Sequence, residues 1–319
     1  MLLEGKVAIV SGIGPGMGRD IALALAREGA DIAMGARRDK GLIKVSGEVE
    51  ALGRKAVWVQ TDITNPEDCA RLARTAREEL GRVDILVNNA FSDGTYSMFA
   101  DSDLAGWRET IDVNLIGTLQ LTQAVLPYLK EQDDSRIIMI NSQSGQVMDE
   151  TFGGYSASKA ALNSATKTLA RELGRDGVRV NGIHPSYIWG KSVEWYINHL
   201  AEERGVDFQV VYDEFADKNC LKYLPSSAEI AGAVVFFASP LSRAVKASPR
   251  LLRNPASPGL SVAAAPSSTT ASVMRPSRAR AKPRLLRACH QSGRRAAAAA
   301  KCGSAWAGPA RESSTQPRL

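Results

Sequence analysis

The chain has 319 residues, 44% of them hydrophobic, with four cysteines and three histidines, which is enough for one large core. Cys69, Cys220, Cys289 and Cys302 form no CxxC pair and make no disulfide scaffold, and three histidines are too few for a histidine-rich zinc site, so no metal is expected. No run of eighteen apolar residues offers a helical membrane span, and Glu4 and Lys6 interrupt the start, so neither a membrane location nor a signal peptide is expected and the setting reads as cytoplasmic.

The net charge of +6 is unevenly spread. Residues 246–319 hold fourteen Lys/Arg and one acid, Glu312, and carry +13; residues 1–245 carry −7. The basic character belongs to the last segment, and nucleic acid is not the expected partner of the whole.

Six short apolar runs predict strands, at 6–11 (KVAIVS), 31–36 (DIAMGA), 56–61 (AVWVQT), 83–90 (VDILVNNA), 135–142 (SRIIMINS) and 178–185 (VRVNGIHP). They are nearly continuous in apolar character, as strands buried on both faces should be. Longer helical patterns lie between them. Met17, Ile21, Ala24 and Leu25 recur at helical spacing, and Asn65-Pro66 opens another helix with Asn as cap and Pro at the first position. Strands alternating with helices predict an α/β, doubly wound parallel sheet with right-handed crossovers.

Ser11-Gly12-Ile13-Gly14-Pro15-Gly16-Met17-Gly18 follows the first strand and opens the first helix. Gly12 permits a tight turn, Gly16 lets backbone approach a pyrophosphate, and Gly18 allows close packing; a plain tight turn is the bland alternative. Ala36-Arg37-Arg38 ends the second strand where a carboxylate would bind a ribose hydroxyl. Guanidinium there favours a 2′-phosphate and hence NADP(H), with NAD(H) and a solvated arginine pair as alternatives. Asp62 could accept from an adenine amino group or cap the following helix. Asn88-Asn89-Ala90 could border a ribose or simply form a turn.

Ser142 stands thirteen residues before Tyr155, and Lys159 stands four after it. On a helix the last two share a face. An ammonium about 5 Å from the phenol, at an effective dielectric of ~20, gives roughly 3 kcal/mol of attraction. That predicts a phenol about two pH units more acidic than usual.

With SGIGPGMG, NNA, VNLIG around Asn114, Ser142 and YSASKAAL at 155–162, residues 1 to about 245 resemble the short-chain dehydrogenase/reductase family. The resemblance implies a Rossmann-like single domain and hydride transfer between NADP(H) or NAD(H) and an alcohol/carbonyl pair. It implies Tyr155 as general acid/base, Ser142 orienting the substrate oxygen, Lys159 tuning the phenol, and Asn114 holding a helix irregularity and a relay water. Cofactor contacts would come from Gly12, Gly16, Met17, Gly18, Arg37, Arg38, Asp62, Ile63, Asn89, Ala90, Tyr155, Lys159, Pro185 and Ile188. The expected partners are a small-molecule alcohol or ketone and, if the C-terminus allows, further copies of the chain in a homodimer or homotetramer. Phe91 departs from the family's usual Gly and would crowd the nicotinamide. After Pro185, Ser186 and Gly190 replace the usual Gly and Thr.

Residues 187–223 read as a substrate lid, dense in aromatics from Tyr187 to Tyr223, which either line a bulky pocket or pack the lid onto the body. After Val245 the pattern stops. Eight of the fourteen prolines and a five-Ala run fall in 246–319, which reads as disordered. No final strand is recoverable there, and a frameshift near Val245 is the favoured explanation, a basic arm the rival. An absent strand would leave one sheet edge open, lowering stability and favouring aggregation.

Overall fold

A computed structural model describes residues 1–245. The reading of 246–319 as disordered, the frameshift near Val245 and the fate of a final strand there all lie outside the described residues.

Six strands are present among the described residues, at Val7–Ser11 (β1), Asp31–Ala36 (β2), Ala56–Gln60 (β3), Ile85–Asn88 (β4), Ser135–Ile140 (β5) and Val178–Ile183 (β6). All pair in parallel, in the order β3-β2-β1-β4-β5-β6. Each sits within its apolar run. The run at 83–90 is trimmed at both ends: Asp84, before the strand, lies beside β1 and accepts from the Val7 N–H, Lys6 and Arg82, and Asn89, after it, turns its amide to the Ser11 and Gly12 carbonyls.

Among the described residues nine α-helices fill the intervals: Met17–Arg27 (α1), Asp39–Glu50 (α2), Pro66–Leu80 (α3), Leu104–Ile111 (α4), Thr118–Leu129 (α5), Gly153–Leu173 (α6), Lys191–Arg204 (α7), Phe208–Asp217 (α8) and Ser227–Ala238 (α9). Asn65 caps α3 as its position predicts, accepting from the Glu67 N–H with Pro66 at the first position. Ser226 and Glu229 close a capping box on α9.

The two-residue alternation of strand side chains divides the core. Ala8 and Val10 of β1, Ile32 and Met34 of β2 and Ile138 of β5 pack against Ile21 and Leu25 of α1, Leu42 of α2 and Val234 of α9. Ile9, Ala33, Leu86 and Met139 face the other way, against Leu72 of α3, Leu121 of α5 and Leu162 of α6. Both faces of the sheet are covered, which is why its strands carry apolar residues at most positions. Ile9, Ile21 and Leu72 are among the fully buried side chains, and truncating any of them to Ala would cost about 2–5 kcal/mol.

Strand order reverses between β1 and β4. Segments leaving the carboxyl ends of β1 and β4 therefore diverge to opposite sides and leave a crevice between them. No helix among the described residues is long and apolar enough to cross a membrane.

Candidate active site

The glycine segment follows β1 directly. Gly12 has φ +78°, and a Cβ there would stand 2.5 Å from the Ala90 Cα, so only glycine lets this turn touch the segment after β4. A Cβ on Gly18 would collide with the Gly12 carbonyl oxygen. Gly16 instead faces open space at the N-cap of α1, so its backbone can be approached by a ligand, and Met17 is the first helical residue. Asn89 fastens the crevice: its Nδ2 donates to the Gly12 carbonyl at 2.8 Å and the Ser11 carbonyl at 3.2 Å.

A cavity of about 710 Å³ opens at this point. Of the expected cofactor residues, Gly12, Arg37, Arg38, Asp62, Ile63, Asn89 and Ala90 line it. Arg37 and Arg38 are exposed, and neither guanidinium is held in an ion pair among the described residues, which leaves both free to meet an anion. Asp62 does not cap α3. Its Oδ1 accepts from the Thr64 N–H at 2.9 Å and the Thr64 hydroxyl at 2.7 Å, because Asn65 already occupies the cap. The glycine turn, the open helix start and the free guanidiniums fit a dinucleotide: the first two suit a pyrophosphate and the last a phosphorylated ribose. Gly16, Met17, Gly18, Tyr155, Lys159, Pro185 and Ile188 lie outside the lining of this cavity. Pro185 is buried and accepts at its carbonyl from the Gln143 N–H at 2.9 Å.

The second group of residues gathers beyond the ends of β4 and β5. Ser142 follows β5, and its Oγ accepts from the Ser144 N–H at 3.1 Å while bonding the Tyr155 phenol. Tyr155 and Lys159 share one face of α6, with the Lys159 Nζ 5.7 Å from the Tyr155 ring centre. That ammonium is 3% exposed and donates to the Ile140 carbonyl at 2.8 Å.

Asn114 sits on a π-helical turn, Asp112–Gly117, between α4 and α5, so the expected irregularity is present. Its Oδ1 accepts from the Ser92 N–H at 2.7 Å, and its Nδ2 donates to the Ser92 carbonyl at 2.8 Å and to the Ser158 Oγ at 2.9 Å. Ser158 in turn donates to the Tyr155 carbonyl at 2.7 Å. Sequence reasoning missed Ser158 and Ser92. The signal for Ser158 lies in its place between Tyr155 and Lys159, one turn after the tyrosine. Nothing in sequence marks Ser92, because its contribution is backbone alone.

The electrostatics correct one expectation. The Tyr155 phenol is held above its ordinary value of 10, not below it. Burial is the largest cause, the Ser142 hydrogen bond opposes it, and the Asp93 carboxylate adds to the rise. The attraction expected from Lys159 does not outweigh that burial, and the ammonium, donating to the Ile140 carbonyl, is itself weakened. Burial lowers it from 10.5 to about 8. Phe91, 53% exposed, lines the cavity and meets the Tyr155 ring edge-on at 6.5 Å.

Of the aromatics at 187–223, most pack among themselves. Tyr187 and Tyr196 meet Phe215 at 4.9 and 5.9 Å, and Trp189 meets Phe208 and Tyr212 at 6.2 and 5.4 Å. Tyr187 also reaches across to the segment after β5, donating to Asp149 Oδ2 at 3.0 Å.

Residues 6–195 match the family model described as short chain dehydrogenase. The chain is 30% identical over 238 residues to a 7alpha-hydroxysteroid dehydrogenase of Escherichia coli K12, covering 75% of this chain and 89% of that one. It is 37% identical over 183 residues to a glycine betaine reductase of Emericella nidulans, covering 57% of this chain but spanning only 14% of that much longer protein. A crystal structure of NAD+-bound xylitol dehydrogenase superposes with a TM-score of 0.72 at 26% identity, over 77% of this chain and 96% of that one.

Proposed function

The chain belongs to the short-chain dehydrogenase/reductase family of NAD(P)-dependent oxidoreductases, and from that premise we propose that it interconverts a secondary alcohol and a ketone with Tyr155 as the acid and base. One observation carries the reading: Tyr155, bonded to Ser142 and sharing a helix face with Lys159, stands edge-on to Phe91, which lines the dinucleotide-sized cavity. A bound dinucleotide supplies the hydride in one direction and accepts it in the other.

The chain's own residues manage the proton. In reduction, the Ser142 hydroxyl donates a hydrogen bond to the substrate oxygen and holds it against the phenol. Tyr155 then gives its proton to that oxygen as negative charge develops there. Because burial keeps the phenol protonated at neutral pH, the site rests in the form that ketone reduction requires. Lys159 faces the same space with a cation that offsets the phenolate left behind. Asn114, through Ser158, fixes the backbone that carries Tyr155.

The free guanidiniums of Arg37 and Arg38 favour NADP(H), with NAD(H) the alternative. Residues 187–223 would close over the substrate, as the Tyr187–Asp149 hydrogen bond suggests. The relatives' names span a hydroxysteroid, glycine betaine and xylitol, so they leave the substrate's chemistry to the pocket.

The test is Tyr155→Phe. A panel of ketones and secondary alcohols, read by nicotinamide absorbance with each dinucleotide, should show turnover reduced about 10²–10⁴-fold. Dinucleotide affinity should be nearly unchanged. Turnover retained by the variant refutes the assignment, and a wild type that binds dinucleotide but turns over nothing on the panel points to a non-catalytic binding protein.

A further inference from the structure

Phe91 touches both halves of the site. Its ring lines the cavity of about 710 Å³, and neither Tyr155 nor Lys159 does. The same ring stands edge-on to Tyr155 at 6.5 Å, and the Lys159 ammonium lies 5.8 Å from its centre. Exposure falls in the same direction, from 53% at Phe91 to 3% at Lys159. The ring therefore stands between the cavity and the phenol–ammonium pair and covers the ammonium from the cavity side.

Hydride transfer requires a way through. Reacting atoms must approach to about 3–3.5 Å, so the nicotinamide end of a dinucleotide in the cavity has to reach a substrate held at Ser142 and Tyr155. Phe91 stands across that path. The backbone around it is not free to move aside. The Ala90 N–H donates to the Ser11 Oγ at 3.3 Å, and Asn114 holds both the N–H and the carbonyl of Ser92, at 2.7 and 2.8 Å. Pinned on both sides, residue 91 can yield only by turning its side chain from one staggered rotamer to another. The ring is lightly held. It has no polar atom to bond, and its ties to the pair are one edge-on ring contact and one ammonium contact, both weak. Exposed side chains of this kind change rotamer within nanoseconds.

We propose that Phe91 is a gate between the two halves: turned inward, its ring closes the way from the dinucleotide cavity to Tyr155 and Lys159, and turned outward it opens it. The sequence marks Phe91 as a departure from glycine, and a glycine could form no such gate. The inward ring and the nicotinamide end claim one space, so apparent affinity for the dinucleotide is lowered by the fraction of chains with the ring inward. The adenosine end, on the Arg37–Arg38 side of the cavity, feels no such loss. Turned inward, the ring also keeps solvent and small reagents from the Lys159 ammonium.

The gate rests on the oxidoreductase reading of the same site, and the experiment separates the two. Calorimetry on the full-length protein follows NADPH, NADH and their truncated forms without nicotinamide, adenosine 2′,5′-bisphosphate and AMP, in wild type, Phe91→Ala and Phe91→Trp. Phe91→Ala should tighten the preferred dinucleotide about threefold or more, and Phe91→Trp should weaken it. The matching truncated form should bind all three proteins alike. Acetic anhydride is the second probe: read by mass spectrometry, acetylation of Lys159 should be several times faster in Phe91→Ala than in wild type. Dinucleotide binding unchanged or weakened in Phe91→Ala, binding tightened in Phe91→Trp, an equal shift in the truncated form, or unchanged Lys159 acetylation overturns the gate. So does a wild type that binds neither dinucleotide. The expected binding and acetylation in a protein that turns over no alcohol or ketone would leave the gate standing and remove the oxidoreductase reading. Turnover with Phe91 silent in binding would do the reverse.

Discussion

Replacing Lys159 with Met should stabilise the protein while destroying its site. The ammonium is 3% exposed, and burial alone lowers it from 10.5 to about 8. That fall corresponds to ~3 kcal/mol of folding free energy lost at pH 7, where the side chain is charged in both folded and unfolded chains. Met fills nearly the same volume without a charge. It also removes the donor to the Ile140 carbonyl, a loss of about 1–2 kcal/mol, and weak cation–ring contacts to Phe91 and Tyr155 worth roughly 0.5–1 kcal/mol. The variant should therefore exceed wild type by about 1 kcal/mol at pH 7.

The pH dependence is the sharper measurement. Between about 8 and 10.5 the unfolded lysine binds more proton than the folded one, so wild-type stability rises with pH relative to a chain lacking the group. The advantage of Lys159→Met should shrink by ~2 kcal/mol between pH 7 and 9.5. Urea denaturation of both proteins across that range reads it directly. A gap that stays constant, or a variant less stable than wild type at pH 7, would mean the ammonium is better solvated or better paired than its surroundings indicate.

Two further substitutions probe the dinucleotide side. Gly12→Ala combines φ +78° with a Cβ 2.5 Å from the Ala90 Cα, so it should lose dinucleotide affinity and about 1–3 kcal/mol of stability. Gly14→Ala, whose Cβ would meet nothing within 4 Å, is the control, and equal effects in a fluorescence titration would refute the steric account. Replacing Arg37 and Arg38 together with Ala should weaken NADPH binding tenfold or more, from the loss of charge-assisted bonds worth ~1.5–3 kcal/mol, and leave NADH nearly untouched. An equal loss for both dinucleotides would assign the arginines to a general role.

The sheet was legible because five of the six strands among the described residues are buried on both faces, all but the edge strand β3, and the requirement for nearly continuous apolar residues overrides weaker local preferences. The glycine turn was legible for a related reason, since Gly12 and Gly18 answer steric conflicts that no other residue can meet. What sequence could not supply was the balance of charges. Spacing placed Tyr155 and Lys159 on one face of α6 correctly, but a distance does not reveal what else an ammonium touches. The Ile140 carbonyl, brought up by β5, takes the hydrogen bond of the ammonium, and burial outweighs the attraction that the spacing argument had assigned to the phenol. Asp93 was equally invisible, because its place depends on Asn114 holding the backbone of its neighbour.

Asn114 explains why these pieces keep a common geometry. A regular helix through 112–117 would form a tighter ladder; the π turn admits one more residue and widens it, and the Asn114 side chain from that turn reaches Ser92 and Ser158. The side chain is fully buried and both its oxygen and its nitrogen are satisfied, so moving it would expose a hydrogen-bond deficit on three segments at once. Those segments carry Asp93, the π turn itself, and Tyr155 with Lys159. The cost of the irregular turn is thus offset by a polar junction that no apolar side chain could make, and the relative positions of carboxylate, phenol and ammonium are set by backbone contacts rather than by the charged groups themselves.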